Sequence, residues 1–255
     1  MRGHRAIALS NGLAPQYTAL DPYAMAWAAV DEAVRNVVAV GADPEQVAIL
    51  DNFSWGNAVL PDRLGTLVRA SQGCYDAALH YGTPFISGKD SLNNEYLGAD
   101  GQRHAIPGTL VISALGIVPM AERTVTMDFK EAGNTLYLIG ATRDELGASH
   151  LHEAFGIEGG RVPQPVQEAP RVYKALYWAI HAGTVRACHD VSEGGLGVAL
   201  AEMGIAGGLG AWVNVANIAP ENLTSPTAED MVALFSESAG RFVVEVRPEN
   251  CDAFE

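Results

Sequence analysis

His-Asp-Val-Ser-Glu-Gly-Gly-Leu-Gly, from His189 to Gly197, follows an apolar, strand-like segment (Thr184 to Cys188) and runs straight into helix-forming sequence (Leu196 to Met203). That order puts two carboxylates and a serine at the mouth of a helix, where free backbone N–H groups and the helix dipole favour anions. An acid beside a phosphate needs a divalent cation between them, so Asp190 reads as a hard oxygen ligand for Mg2+. The competing reading is a capped helix, with Ser192 or Asp190 as N-cap and Gly194–Gly195 forming a tight turn.

Strands and helices extend outward from this stretch on both sides. Upstream, Arg171 to Ala182 is helical, with Val172, Ala175, Leu176 and Ala179 on one face. Before it come a proline-broken loop (Arg161 to Pro170), a helix (Asp144 to Phe155) and a strand (Thr135 to Ile139). Downstream lie a strand at Ala211 to Val215, a helix near Glu229 to Phe235 and a strand at Arg241 to Val246. Pro119 to Thr126 marks a boundary. Ahead of it, Asp21-Pro22 opens a helix as N-cap and first-position proline, and that helix runs to about Val40 and closes at Gly41. Met25, Ala29, Ala33, Val37 and Val40 recur along it at helical spacing. A strand, Val47 to Leu50, ends in Asp51-Asn52; a helix, Pro61 to His80, closes at Gly82. Pro84 to Ser87 and Gly108 to Val118 are strands separated by a polar hairpin or loop, Asn93 to Pro107. The pattern is a mixed α+β chain with two domains, residues 1–120 and 121–255. The last strand is followed almost at once by Glu255, so the second domain is expected to be cut short and the chain to be a fragment.

Composition narrows the function. The chain has 255 residues, 48% hydrophobic and 18% charged, which is globular. A net charge of −14 without a Lys/Arg cluster argues against nucleic acid. A nucleotide is still accommodated if Mg2+ and helix N-termini neutralise it. Cys74 and Cys188 read as small core residues, and no zinc or disulfide framework emerges from them and Cys251. The N-terminus has only a four-residue apolar-type run (Ala6 to Leu9), too short for a signal peptide, and no stretch would span a bilayer. The expectation is a cytoplasmic protein with no membrane partner.

Three further constellations carry oxygen ligands or cations. Glu32 and Asn36 are four apart and share a helix face, with Arg35 beside them; the bland reading is a solvated polar face. Asp51-Asn52-Phe53-Ser54-Trp55-Gly56-Asn57 follows a buried strand, a usual place for ligand chemistry, although an Asx-turn would give the same residues. Gly88-Lys89-Asp90-Ser91 supplies close backbone approach, a point charge suited to phosphate, a carboxylate and a hydroxyl, yet lacks the Walker A pattern; a polar hairpin entry is the alternative. Ser236-Glu237-Ser238 reads as a plain helix-to-strand turn. His4, His150, His152 and His181 have no partner at ligand spacing, and His189 has only its place beside Asp190.

Taken together, D-P-Y-A-M-A-x-x-A-V-D-E-A-V-R-N-V-V-A-V-G-A-D-P (Asp21 to Pro44), L-D-N-F-S-W-G-N (Leu50 to Asn57), G-K-D-S-L-N-N-E (Gly88 to Glu95) and H-D-V-S-E-G-G-L (His189 to Leu196) resemble the C-terminal half of phosphoribosylformylglycinamidine synthases. The wider superfamily is that of aminoimidazole ribonucleotide synthetase. The resemblance covers essentially the whole chain. It implies a two-domain module: an N-terminal sheet domain that pairs into a barrel, and a C-terminal α+β sandwich domain. This chain matches the second of two tandem copies.

The implied activity is an ATP-dependent carbon–nitrogen ligation in purine biosynthesis. ATP phosphorylates the formamide oxygen of formylglycinamide ribonucleotide, and ammonia from a glutaminase subunit or domain displaces the phosphate. The resemblance places nucleotide contacts at Asp51, Gly88 and Ser192, a substrate contact at Ser91, and Mg2+ ligands at Glu32, Asn36, Asp90 and Asp190. Lys89 stands where the small form of the enzyme has a metal-binding asparagine, so it is assigned to nucleotide and Asp90 to metal. Implied cofactors are Mg2+ and ATP or ADP; implied partners are the first half of the synthase and the glutaminase. The catalytic histidine belongs to the first copy, so no catalytic residue is assigned here, and the isolated fragment is expected to be inactive and homodimeric. Two other readings stand beside this one: a stand-alone homodimeric nucleotide-binding enzyme, and a non-catalytic structural half-module holding an auxiliary nucleotide.

Overall fold

The computed structural model describes residues 3–223 and 229–255. It opens with β1 (Ala6–Leu13), α1 (Pro22–Ala39), β2 (Val47–Ser54), α2 (Pro61–Tyr81) and β3 (Phe85–Ser91). A short hairpin, β4 (Glu95–Leu97) and β5 (Arg103–Ala105), leads to β6 (Thr109–Val118). Then follow β7 (Thr135–Ile139), α3 (His150–Phe155), α4 (Ala169–Ala182), β8 (Val185–Asp190) and α5 (Gly195–Gly207). α6 (Glu229–Phe235), β9 (Phe242–Val246) and α7 (Cys251–Phe254) complete the order.

The first sheet runs β1-β6-β2-β3, with β2 antiparallel to β6 and parallel to β3. Its strands alternate strictly: along β6, Leu110, Ile112, Ala114 and Val118 are buried while Val111, Ser113, Leu115 and Ile117 are only half-covered. The covered face packs on α1, and the approach is close enough that a Cβ on Gly12 would sit 1.8 Å from the Ala29 carbonyl oxygen. The other face carries Ile7, Leu9, Leu13 and Leu50 into solvent, with Leu9 76% exposed.

α1 begins as the sequence dictates, with Asp21 accepting from the N–H groups of Tyr23 and Ala24 ahead of Pro22. It is buried nearly all round, which marks a helix shared between two layers. One continuous core joins it to α2, to α4 and to the Phe242, Val244 and Val246 side of the second sheet, ordered β7-β9-β8. A smaller cluster of Phe129, Ala187, Val191, Leu196, Ala199, Met203 and Val243 fills the opposite side under α5.

Several expected elements differ. The helix expected at Asp144 to Phe155 is confined to His150–Phe155, because Ala148 adopts φ 54° and Ser149 caps a new start by accepting from His152 N–H. Ala211 to Val215 joins no ladder; Asn214 instead accepts from Ala216 N–H and turns the chain, leaving Trp212 87% exposed. On α4 the buried face is Tyr173, Leu176, Tyr177 and Ile180, with Ala175 outside. β2 and β3 extend through Ser54 and Ser91, so Asp51 to Ser54 and Gly88 to Ser91 lie inside strands and not in turns. The last strand is followed by the short α7, whose Phe254 packs on Tyr137 of β7.

Candidate functional site

β2 and β3 bring the two motifs of the first domain into register, pairing Asp51 with Gly88, Asn52 with Lys89, Phe53 with Asp90 and Ser54 with Ser91. Because strand side chains alternate faces, this pairing splits the Gly88–Ser91 motif. Lys89, Ser91 and Asn52 share the open face of the sheet, and Lys89 Nζ donates to the Ser91 hydroxyl. Asp51, Gly88 and Asp90 share the other face. The Asp51 carboxylate lies over Gly88, where a Cβ would fall 2.7 Å from each of its oxygens. Burial raises the Asp51 carboxyl above its ordinary range, and the charge of Asp90 adds to this against the Lys89 backbone N–H. Neither carboxylate is in an ion pair with a basic side chain among the described residues. Two hard oxygen donors beside a glycine cradle fit a divalent cation carrying phosphate.

Glu32, Asn36, Asp190 and Ser192 belong to a second place, where α1 meets the β8–α5 turn. Glu32, Arg35, Ser192, Glu193, Glu237 and Tyr17 line a cleft of about 20 Å³, room for one water or ion and far too little for a nucleotide. Burial pushes the Glu32 carboxyl up to about 7, against Arg35 and the Leu13 N–H that donates to Oε2 at 2.8 Å. Asn36 Nδ2 donates to the Glu32 carbonyl at 3.1 Å. Asp190 is fully buried, and its oxygens are already engaged. Oδ2 accepts from Arg35 Nε at 3.4 Å and Nη2 at 3.3 Å, and Oδ1 lies 3.3 Å from His189 Nδ1. Burial would raise the Asp190 carboxyl, but His189 and Arg35 outweigh it and hold it low. The structure therefore does not gather Glu32, Asn36 and Asp190 into a ready cation site, and no cluster of three or more His, Cys, Asp or Glu suited to a metal occurs among the described residues.

The β8–α5 turn also differs from both sequence readings. Neither Asp190 nor Ser192 caps α5; Gly194 does, in the left-handed region at φ 75°, followed by Gly195 at φ 68°. Side chains rarely tolerate that backbone. A Cβ on Gly195 would also meet the Ser236 carbonyl oxygen at 2.5 Å, so the paired glycines let two turns touch. The Gly194 N–H donates to the Glu237 carboxylate at 2.8 Å, placing the chain's own anion at the helix mouth.

Sequence reasoning missed Glu237 and Asp31. Asp31 accepts from Tyr81, Tyr173, Arg35 and the Gly240 N–H, tying α1 to α2, α4 and the start of β9. An acid in the middle of an apolar helix stretch was the available signal, since such a group is buried only when partnered. A cavity of about 840 Å³ between β7 and the Leu209–Val213 segment is lined by Leu136, Leu138, Leu200 and Trp212 and holds none of the expected site residues.

Residues 1–118 match the AIR synthase related protein N-terminal domain and residues 131–255 its C-terminal domain. The chain is 36% identical over 239 residues to phosphoribosylformylglycinamidine synthase subunit PurL of Thermococcus sibiricus, covering 93% of this chain and 32% of that protein. The fold is shared with Thermotoga maritima PurL complexed with FGAR, at TM-score 0.81 and 20% identity over 98% of this chain and 39% of that one. T. maritima PurL complexed with ATP matches at TM-score 0.72 and 22% identity, over 98% of this chain and 37% of that one. The chain thus spans about a third of the length of the curated relatives it matches.

Proposed function

The chain belongs to the AIR synthase-related family, and from that premise we propose that it supplies one nucleotide-binding module of a phosphoribosylformylglycinamidine synthase of the PurL kind. The reaction of the whole enzyme is the ATP- and ammonia-dependent conversion of formylglycinamide ribonucleotide to its amidine, in the cytoplasm, with a glutaminase as ammonia source. The observation that carries the reading is the in-register β2–β3 pair, which sets Asp51, Gly88 and Asp90 on one face and Lys89 and Ser91 on the other. Asp51 and Asp90 would hold Mg2+, which neutralises the phosphates, with Gly88 leaving room for the Asp51 carboxylate; on the opposite face Lys89 supplies a point charge and Ser91 a hydroxyl towards substrate. Such transfer asks for positioning and charge neutralisation more than covalent protein chemistry.

The exposed sheet face of Ile7, Leu9, Leu13 and Leu50 fits pairing with the first copy of the module, or with a second copy of this chain when it is alone. The Glu32–Ser192 cleft would serve as an auxiliary nucleotide place only if it widened and a cation at Glu32, Asn36 and Asp190 drew Asp190 away from Arg35. The test is calorimetric titration of the chain with MgATP and MgADP, beside Asp90→Ala and Asp190→Ala. Loss of binding in Asp90→Ala supports the sheet-edge site, loss in Asp190→Ala alone moves binding to the cleft, and no binding by the parent chain refutes a self-contained site.

A further inference from the structure

β3 pairs only with β2 among the described strands, and their ladder holds one irregularity. Ile49 opposes Phe85 but Leu50 opposes Ser87, so Ile86 is bulged out. The faces of the downstream residues depend on that extra residue. Without it Ser87 would oppose Asp51, Lys89 would oppose Phe53, and each side chain from Ser87 to Ser91 would change face. Lys89 would then stand where Asp90 does now, beside an Asp51 carboxylate that no basic side chain pairs with among the described residues. Local charge therefore favours the unbulged pairing. Gly88 opposes it, because the Asp51 carboxylate fills the space that a Cβ there would need.

A clamp beyond the strand ends opposes it too. Trp55 N–H donates to the Ser91 carbonyl at 2.8 Å, and Asn94 N–H to the Trp55 carbonyl at 2.9 Å. Glu95, which opens β4 with its side chain 4% exposed, closes the clamp. Its Oε1 accepts the Asn57 N–H at 3.0 Å and the Arg63 guanidinium, which reaches it from the first turn of α2. One carboxylate oxygen ties the exits of β2 and β3 to the helix that joins them. We propose that Glu95 is the positioning residue of the β2–β3 site, holding β3 in the bulged register that keeps Asp90 beside Asp51 and Lys89 on the open face. The proposal rests on the reading of that pair as a nucleotide site. Glu95 acts through the backbone and touches no ligand. Alanine removes the acceptor, whereas glutamine keeps an oxygen for both donors.

The experiment compares the parent chain with Glu95→Ala and Glu95→Gln by cross-strand backbone NOEs, amide hydrogen exchange and calorimetric titration with MgATP. In the parent, NOEs join Asp51 to Gly88 and Phe53 to Asp90. In Glu95→Ala a second set is expected, joining Asp51 to Ser87 and Phe53 to Lys89. Exchange at Trp55 and Asn57 should rise at least about tenfold relative to Ile112 in β6, and MgATP affinity should fall at least about tenfold. Glu95→Gln should return all three to parent values. A single unshifted set of NOEs in Glu95→Ala, loss of the β2–β6 contacts as well, or a register that glutamine does not restore overturns the proposal. A shifted register with MgATP affinity unchanged separates Glu95 from the site and overturns it equally. A parent chain that takes up no MgATP overturns the nucleotide reading of the site, and the NOEs then decide the register role by themselves.

Discussion

Replacing Glu32 by glutamine should stabilise the protein, by an amount that grows as pH rises from about 4 to about 7 and holds above it. Burial holds the Glu32 carboxyl up to about 7, whereas an unfolded glutamate titrates near about 4.3. Between those values the folded chain keeps a proton that the unfolded chain has released, so stability falls as pH rises through the window and stays lower above it. At 1.36 kcal/mol per pH unit the ceiling is about 4 kcal/mol, and roughly 2 kcal/mol remains once the access of a half-buried group to water is allowed for. Glutamine keeps the oxygen that accepts the Leu13 N–H at 2.8 Å and never ionises. Urea unfolding in EDTA, followed by tryptophan fluorescence, should give nearly equal stabilities at about pH 4 and a Glu32→Gln advantage of roughly 2 kcal/mol at about pH 8. An advantage that does not grow with pH, or a glutamine variant less stable at pH 8, would refute the reasoning. Adding Mg2+ should relieve the parent at pH 8 if a cation settles on Glu32, and should leave Glu32→Gln unmoved.

Other perturbations test other parts of the structure. Asp31→Ala strips Arg35, Tyr81 and Tyr173 of a shared buried acceptor, and should cost about 3–5 kcal/mol in chemical denaturation. Gly195→Ala forces a side chain into φ 68° and against a carbonyl oxygen at 2.5 Å, for a loss of about 2 kcal/mol or more. Gly65→Ala, on the exposed side of α2 with nothing within 4 Å, should instead gain about 0.5–1 kcal/mol; both are read as shifts of the urea midpoint. Leu9→Asp, at the centre of the uncovered sheet face, should convert a self-associating chain to monomer in sedimentation velocity while leaving its far-UV dichroism intact. A variant that still sediments as the parent does would remove that face as the pairing surface.

Where local chemistry decides structure, the sequence was readable. Asp21-Pro22 starts α1 and Gly82 ends α2, because an N-cap, a first-position proline and a left-handed glycine act within one turn. The errors fall where distant partners decide. Asp51 to Ser54 looks like a strand ending in an Asx-turn, but β3 and β6 flank it on both sides and carry the ladder through Ser54. Trp212 and its neighbours have strand composition yet find no ladder, and propensity without a pairing partner is not a strand. The sequence singles out the motif residues but not the faces they occupy. Gly88 to Ser91 read as a loop would converge on one ligand, whereas as a strand it divides Lys89 from Asp90. Glu237 gave no signal at all, since its partners lie at Tyr17, His150 and Gly194.

The buried charges explain why the cleft and the packing of the two domains form one problem. Hydrophobic side chains of similar volume can hold such a junction equally well, so Asp31 and Arg35 are not needed for stability as such. What they add is direction. Asp31 is satisfied only when Tyr81, Tyr173 and the Gly240 N–H arrive together, and Arg35 only when Asp31 and Asp190 lie on either side of it. A slide of the second domain along α1 by one helical turn would strand several of these groups without water or partner, at about 1–3 kcal/mol each. Arg35 is thus a fixed tie between α1 and the strand that leads into the Ser192 turn. Any cation that claims Asp190 must take its place, leaving Arg35 to Asp31 alone and loosening the junction as it binds. Ligand occupancy at the cleft and domain packing would then be linked through a single guanidinium, a coupling that runs equally in both directions.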